Sequence, residues 1–273
     1  MKLIDFDGLF DEKLAQYMSE NKEKHTEKQW ETVIPKLYKK FGDTRIAKLG
    51  CTPKEYYARM SDSELVATLT AHLETDIPVP EFLCNEIETR GQAQTLLPLL
   101  KSEDTQTVSY AINLIGDDES AFEEYFAILE ENRLDEEIRS DVTDILRLHA
   151  DEVLAKAIAI YRSGKAQVYM LEILSRVKNR TDEVYDLLMT AFKTAEDTSV
   201  YAGYLASYGD ERALGELLRR IEDRSIGFVE FQELKYAIEA LGGEYDEPRD
   251  FSEDKDYLAI EATGAKATGE QLS

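Results

Sequence analysis

Apolar residues recur at helical spacing along most of this chain. Residues 29–41, QWETVIPKLYKKF, put Trp30, Val33, Ile34, Leu37, Tyr38 and Phe41 on one helical side, with Pro35 either kinking that helix or opening it. In the following CTPKEYYARM, Thr52 predicts an N-cap, Pro53 the first helical residue and Glu55 the reciprocal cap. SDSELVATLTAHL repeats the device with Ser61 and Glu64, and with Leu65, Leu69 and Leu73 as its stripe. The IPVP at 77–80 ends that helix, and Pro80 opens the next.

From about residue 81 the pattern becomes serial. It predicts helices near 81–90, 92–101, 104–115, 118–131, 135–148, 151–162, 165–178, 181–194, 198–208, 210–222 and 228–241. Each has a stripe, such as Leu214, Leu217, Leu218 and Ile221, and none is long or apolar enough to stand alone. Linkers of two to five residues favour antiparallel neighbours. Gly91, Gly116, Gly209 and Gly242 each follow a periodic run, where glycine can finish a helix at positive φ. Asp117 or Asp118, Asp151, Asp182 and Asp210 stand where the next helix needs its amides capped. Junctions at 91, 116, 150, 178, 209 and 242 are 25, 34, 28, 31 and 33 residues apart, so one period holds two helices.

On these residues the chain resembles the HEAT-repeat family. In TLLPLLKSEDTQTVSYAINLIGDDESAFEEYFAIL, residues 95–129, LLPLL matches the tail of a first helix and Asp104 the polar turn. Thr107–Ile115 matches the second helix, with the small Ala111 inside it. YAGYLASYGDERALGELLRRI at 201–221 repeats the arrangement, whereas Val108–Ser109 replaces the usual Val-Arg and the period is irregular. The resemblance covers about residues 81–243. It implies an all-α, HEAT-like α-α superhelix, a solenoid in which each helix pair covers the apolar side of the last.

Such a stack needs ends. Residues 1–80, with the only Trp, are expected to form a helical N-terminal cap region ahead of the 81–243 solenoid. Residues 244–273 are expected to be an acidic, helix-poor tail, its first half pinned by Phe251, Tyr257, Leu258 and Ile260 and disordered from about Thr263.

Composition agrees with a folded helical protein: 43% of the 273 residues are hydrophobic, and Gly (14) and Pro (6) are scarce. The net charge is −24, unevenly spread. Residues 1–60 carry 12 Lys/Arg against 10 Asp/Glu, residues 61–242 carry 17 against 37, and residues 243–273 carry 3 against 9. A field of that sign repels phosphate backbones, so no nucleic-acid partner is expected. The acidity suits a soluble surface of the bacterial cytosolic kind, and a partner of basic or mixed charge. Lys22, Lys24, Lys28, Lys36, Lys39, Lys40, Arg45 and Lys48 form the one basic cluster, either a solvated face or a surface that meets acidic groups. Cys51 and Cys84 make neither a disulfide framework nor a metal knuckle, and read as packing residues in a reducing compartment. MKLIDFDGLFDEK is no signal peptide and no 18-residue apolar run occurs, so no membrane partner is expected and the cytoplasm is the expected location.

Candidate chemistry is thin. LIDFDGLF at 3–10 resembles the first motif of haloacid-dehalogenase phosphatases, with Asp5 as nucleophile and Asp7 as general acid. That motif leaves a strand and usually continues with Thr, here Leu9, so Leu3, Ile4, Phe6 and Phe10 are expected to dock on a helix instead. EDRSIGFVEFQE at 222–233 imitates a calcium loop through Gly227 and Glu233, but Arg224 and Ile226 occupy two ligand positions. His25, His72 and His149 have no zinc-hydrolase spacing, which also counts against the hydroxylases built on HEAT repeats. No catalytic, cofactor or metal residue is therefore expected, and no cofactor. The expected role is non-enzymatic: a protein-interaction scaffold or adaptor that uses the second helices near 104–115, 135–148, 165–178, 198–208 and 228–241. Arg139, Asp141, Arg147, Arg176 and Tyr204 are its candidate contact residues, and Tyr161, Tyr169, Tyr201, Tyr204 and Tyr208 form either an aromatic patch or core packing. The resemblance leaves open a HEAT-like enzyme or assembly factor, of the antenna-chromophore lyase type, and a structural subunit of a larger complex; DNA-alkylation glycosylases of this fold would need a basic groove.

Overall fold

The computed structural model describes residues 3–22 and 24–269. Among them the only regular elements are helices, with one isolated bridge between Ile46 and Cys51. The contacts divide the chain into two units, residues 1–142 and 143–273.

In the first unit, α1 (Phe6–Glu20), α2 (Glu27–Gly42), α3 (Pro53–Ala58), α4 (Asp62–Leu73) and α5 (Glu81–Arg90) come first. Reciprocal capping fixes two starts as expected: Thr52 with Glu55 at α3, and Ser61 with Glu64 at α4. Thr26 and Gln29 do the same at α2, within which Pro35 lies. Aromatic rings weld α1, α2, α3 and α5. Phe10 meets Tyr38 edge-on at 4.9 Å, Phe6 meets Tyr56 and Tyr57 at 5.6 Å each, and Tyr38 stacks on Phe82 at 4.7 Å. Phe6 and Phe10 are buried, as a docked terminal segment requires.

Beyond α5 lie α6 (Ala93–Leu96), continued by a 3-10 turn over Leu97–Lys101, then α7 (Thr105–Ile115) and α8 (Phe122–Glu130), the last entered through a 3-10 turn at Glu119–Ala121. Proline at position 98 explains the tightened turn, because it removes a helical donor. Here α4 packs on α5, α6 on α7, α4 on α6 and α5 on α7, so each pair of neighbours also packs on the pair that follows. Two arginines knit the series at a distance of about one period. Arg90 reaches back to the carbonyls of Ala58 and Met60 and to Asp62, and Arg133 to the carbonyls of Leu100 and Ser102. The division at residue 142 falls within α9 (Glu136–Leu148).

The second unit continues with α10 (Ala150–Arg162), α11 (Gln167–Leu174), α12 (Asp182–Thr194), α13 (Ser199–Tyr208), α14 (Leu214–Ile221), α15 (Phe228–Ala240) and α16 (Lys255–Gly269). Hairpins form between α10 and α11, α12 and α13, and α14 and α15; α11 also packs on α13, and α13 on α15. This is the contact pattern of stacked pairs. Each pair buries what it cannot bury alone, through side chains such as Leu188, Leu205, Leu217 and Leu234, all at most 1% exposed and each contributing roughly 1.5–3 kcal/mol. Ties about one period long recur: Tyr208 Oη donates to the Thr181 carbonyl (2.9 Å) and accepts from its N–H (2.7 Å), and Arg249 donates to the carbonyls of Ile221 and Asp223.

Several junctions differ from the sequence expectation. All four glycines have positive φ, but Asp151 and Asp182 are not caps. Thr181 caps α12, while Asp151 lies in the first turn of α10 and accepts the N–H groups of Lys178 and Asn179, satisfying a neighbouring turn. Helix α11 is shorter than expected at both ends: Ala166 enters it in the left-handed conformation, at φ 45°, and it stops at Leu174. The tail is not helix-poor: α16 runs to Gly269, and residues 270–273 lie outside the described residues. Phe251 and Tyr257 pin it to Phe228, and Arg249 lies over the Phe231 ring, whereas Leu258 and Ile260 are exposed.

Candidate functional site

Two surfaces stand out, one in each unit. In the first unit α1, α2 and α5 enclose a cleft of about 1050 Å³, with Asp7, Asp11, Tyr38, Lys39, Glu81 and Tyr110 among its lining residues. Asp5 starts α1 by accepting the Gly8 N–H at 2.7 Å, so the Asp-x-Asp of the sequence opens a helix and does not leave a strand. Two residues further on, Asp7 lines the cleft. Its Oδ1 accepts the Tyr38 hydroxyl at 2.5 Å. Pro80 stands at the N-cap of α5 and makes no side-chain capping bond there.

The electrostatics of the cleft are those of crowded carboxylates. Burial raises the Asp7 carboxyl above the ordinary range; Tyr38 opposes the shift, and Asp5, Asp11 and Glu81 add to it. Burial and the Asp7 hydrogen bond hold Tyr38 protonated. The Cys84 thiol is pushed up to about 11 by burial and by Glu88, which makes it a packing group and not a nucleophile at neutral pH. Lys54 is neutralised by both oxygens of Asp43, at 2.9 and 2.8 Å.

In the second unit the solvent faces of the second helices carry a row set by the repeat. Val168, Val200 and Val229 are each the second residue of their helix, α11, α13 and α15, and are 51%, 55% and 42% exposed. One turn on come Glu172 and Tyr204, and two turns along α15 comes Tyr236, 64% exposed. Arg147 donates to Glu172 at 3.0 Å, and Tyr204, its hydroxyl held protonated by burial and by Glu172, meets Tyr201 edge-on at 6.1 Å. Arg147 and Tyr204 are thus brought together around Glu172, and Arg176 lies exposed in the turn just past the end of α11. Arg139 is occupied by the Leu134 carbonyl at 3.0 Å. Tyr208 belongs to the core, 1% exposed, and leaves the expected aromatic patch.

The calcium-like stretch is held by protein groups. Glu230 accepts from Thr198 and Arg220, Asp223 from Ser225 and Arg220, and Asp254 from the Phe228 N–H. His72 is buried with Nδ1 3.2 Å from the Ile77 carbonyl, and His149 pairs with Glu152. Among the described residues no group of three or more His, Cys, Asp or Glu side chains is placed to hold a metal ion, and no helix is long and apolar enough to cross a membrane. No family model, curated protein or solved structure matches this chain.

Proposed function

We propose that this chain is an α-solenoid of the HEAT type working as a non-enzymatic protein-binding module in the cytoplasm, with a partner of basic or mixed surface charge. The supporting observation is the row Val168–Val200–Val229. Three aliphatic side chains are left half-exposed at one register position of three second helices, beside Tyr204 and Tyr236. Scattered exposed apolar residues are ordinary, but a row repeated with the period of the fold is what an extended partner segment meets. The chain's charge of −24 selects that partner by sign and accelerates its encounter.

The test compares wild-type protein with the triple variant Val168→Asn, Val200→Asn, Val229→Asn as bait in native extract, at low and at raised salt. Because these side chains face solvent, the variant keeps the wild-type circular dichroism. Partners captured by the wild type at low salt are lost from the variant and reduced by salt. Equal capture by both baits contradicts the role of the row, and capture indifferent to salt contradicts selection by charge.

A further inference from the structure

The first-unit cleft has a use of its own. Its volume, about 1050 Å³, lies at the upper end of the ~300–1,000 Å³ typical of ligand sites. Part of its lining is apolar: Ile34, Pro35 and Val79, with the stacked Tyr38–Phe82 pair. Asp7, Asp11 and Glu81 also line it. Of these, Asp7 uses only Oδ1, towards Tyr38, and Asp11 has no hydrogen-bond or ion-pair partner among the described residues. Two lysines also line the cleft, but Lys54 is spent on Asp43, leaving Lys39 as the lone opposing charge. The shape asks for an aliphatic stem, and the charge asks for a cationic head.

We propose that this cleft receives a lysine or arginine side chain of a bound protein segment, with its stem along Ile34, Pro35 and Val79 and its head between Asp7 and Asp11. The proposal rests on reading the chain as a protein-binding module, but on a different surface from the valine row. Cys84 and Tyr110 both hold their protons more tightly, chiefly through burial, and Asp7 adds to the shift in each. Desolvated ammonium and guanidinium groups gain from both aromatic faces and carboxylates, which makes this pairing selective against neutral isosteres.

The experiment titrates the full chain with capped pentapeptides whose central residue is arginine, lysine, citrulline, norleucine or glutamate, followed by amide NMR shifts. The arginine or lysine peptide should shift amides at Asp7–Asp11, Tyr38 and Glu81–Asn85, and bind at least ~10-fold more tightly than citrulline or norleucine, as one charge-assisted hydrogen bond supplies. The double variant Asp7→Asn, Asp11→Asn keeps the Tyr38 acceptor and should lose that ~10-fold preference, while Lys39→Gln tightens binding about two- to threefold. The valine-row triple variant should bind the peptides unchanged, which separates failure here from failure of the module reading. Citrulline binding as well as arginine, preference for the glutamate peptide, or no shift up to about 10 mM peptide overturns the proposal. So does methylguanidine or a free polyamine binding as tightly as the peptide, since that makes the ligand a small molecule and not a protein segment.

Discussion

Replacing Glu230 by alanine removes a side chain of α15 that binds Arg220 of α14 and Thr198 at the start of α13. The carboxylate is 9% exposed, and its Oε1 accepts the Thr198 N–H at 3.2 Å, the Thr198 hydroxyl at 2.6 Å and the Arg220 Nε at 2.8 Å. Removing one partner of a buried ion pair costs about 3–5 kcal/mol. Arg220 is a quarter exposed and keeps Asp223 at 3.0 Å and the Glu196 carbonyl at 3.1 Å, which lowers its share. Thr198, 2% exposed, loses its acceptor, at about 1–3 kcal/mol for a buried donor left unmet. The sum expected for Glu230→Ala is about 3–4 kcal/mol. Glu230→Gln keeps an oxygen for Thr198 and Arg220 and loses only the charge, so about 1–2 kcal/mol is expected. Urea unfolding followed by far-ultraviolet circular dichroism measures both; Trp30, in the other unit, is the wrong reporter. The reasoning fails if the alanine variant lies within about 0.5 kcal/mol of wild type, the ordinary range of an uninvolved surface change, or if glutamine costs as much as alanine.

Three further outcomes follow from local geometry. Gly116 closes α7 at φ 61°, ψ −131°, a conformation open only to glycine, so Gly116→Ala should cost about 1–3 kcal/mol in urea unfolding although nothing lies within 4 Å of the added methyl. Ala166 stands at φ 45°, ψ 30°, so Ala166→Gly should raise stability by ~0.5–1 kcal/mol; a loss would mean that its methyl matters more than its strain. For Asp7, the raised folded pKa means that the native state binds the proton more tightly than the unfolded chain does. Its contribution is present below the ordinary carboxylate value of 3.8 and lost as pH rises through the raised one. The urea midpoint of Asp7→Asn relative to wild type should therefore climb across that window and then level off, and a flat or falling difference contradicts the assignment.

Much of the helical pattern was legible because its signals are local. The boxes at Thr52 and Ser61, the stops at Gly91 and Gly209 and the stripes between them act within a turn or two, and the observed helices follow them closely. Asp151 and Asp182 misled because an aspartate before a helix has the same local appearance whether it caps its own helix or, like Asp151, binds amides 27 and 28 residues away. The back-reaching arginines Arg90, Arg133 and Arg249 were invisible for the same reason. So was the cleft: Asp7, Tyr38, Glu81 and Tyr110 come from four separate helices and form no motif. The valine row lay in plain sight at spacings of 32 and 29 residues, but a half-exposed valine at the start of a helix reads as stripe until its neighbours are placed. In the tail, Phe251 and Tyr257 were readable as anchors, whereas the helix they begin depends on packing against Phe228.

The most direct measurement of the central claim, that these helix pairs persist by leaning on their neighbours in series, is hydrogen exchange by mass spectrometry on Leu234→Ala. Leu234 is fully buried in α15, and its truncation costs about 2–5 kcal/mol. In a serial array, exchange should accelerate most in α14, α15 and α16, less in α12 and α13, and least in α10 and α11. Equal acceleration throughout residues 143–269 would show one indivisible core and contradict the account.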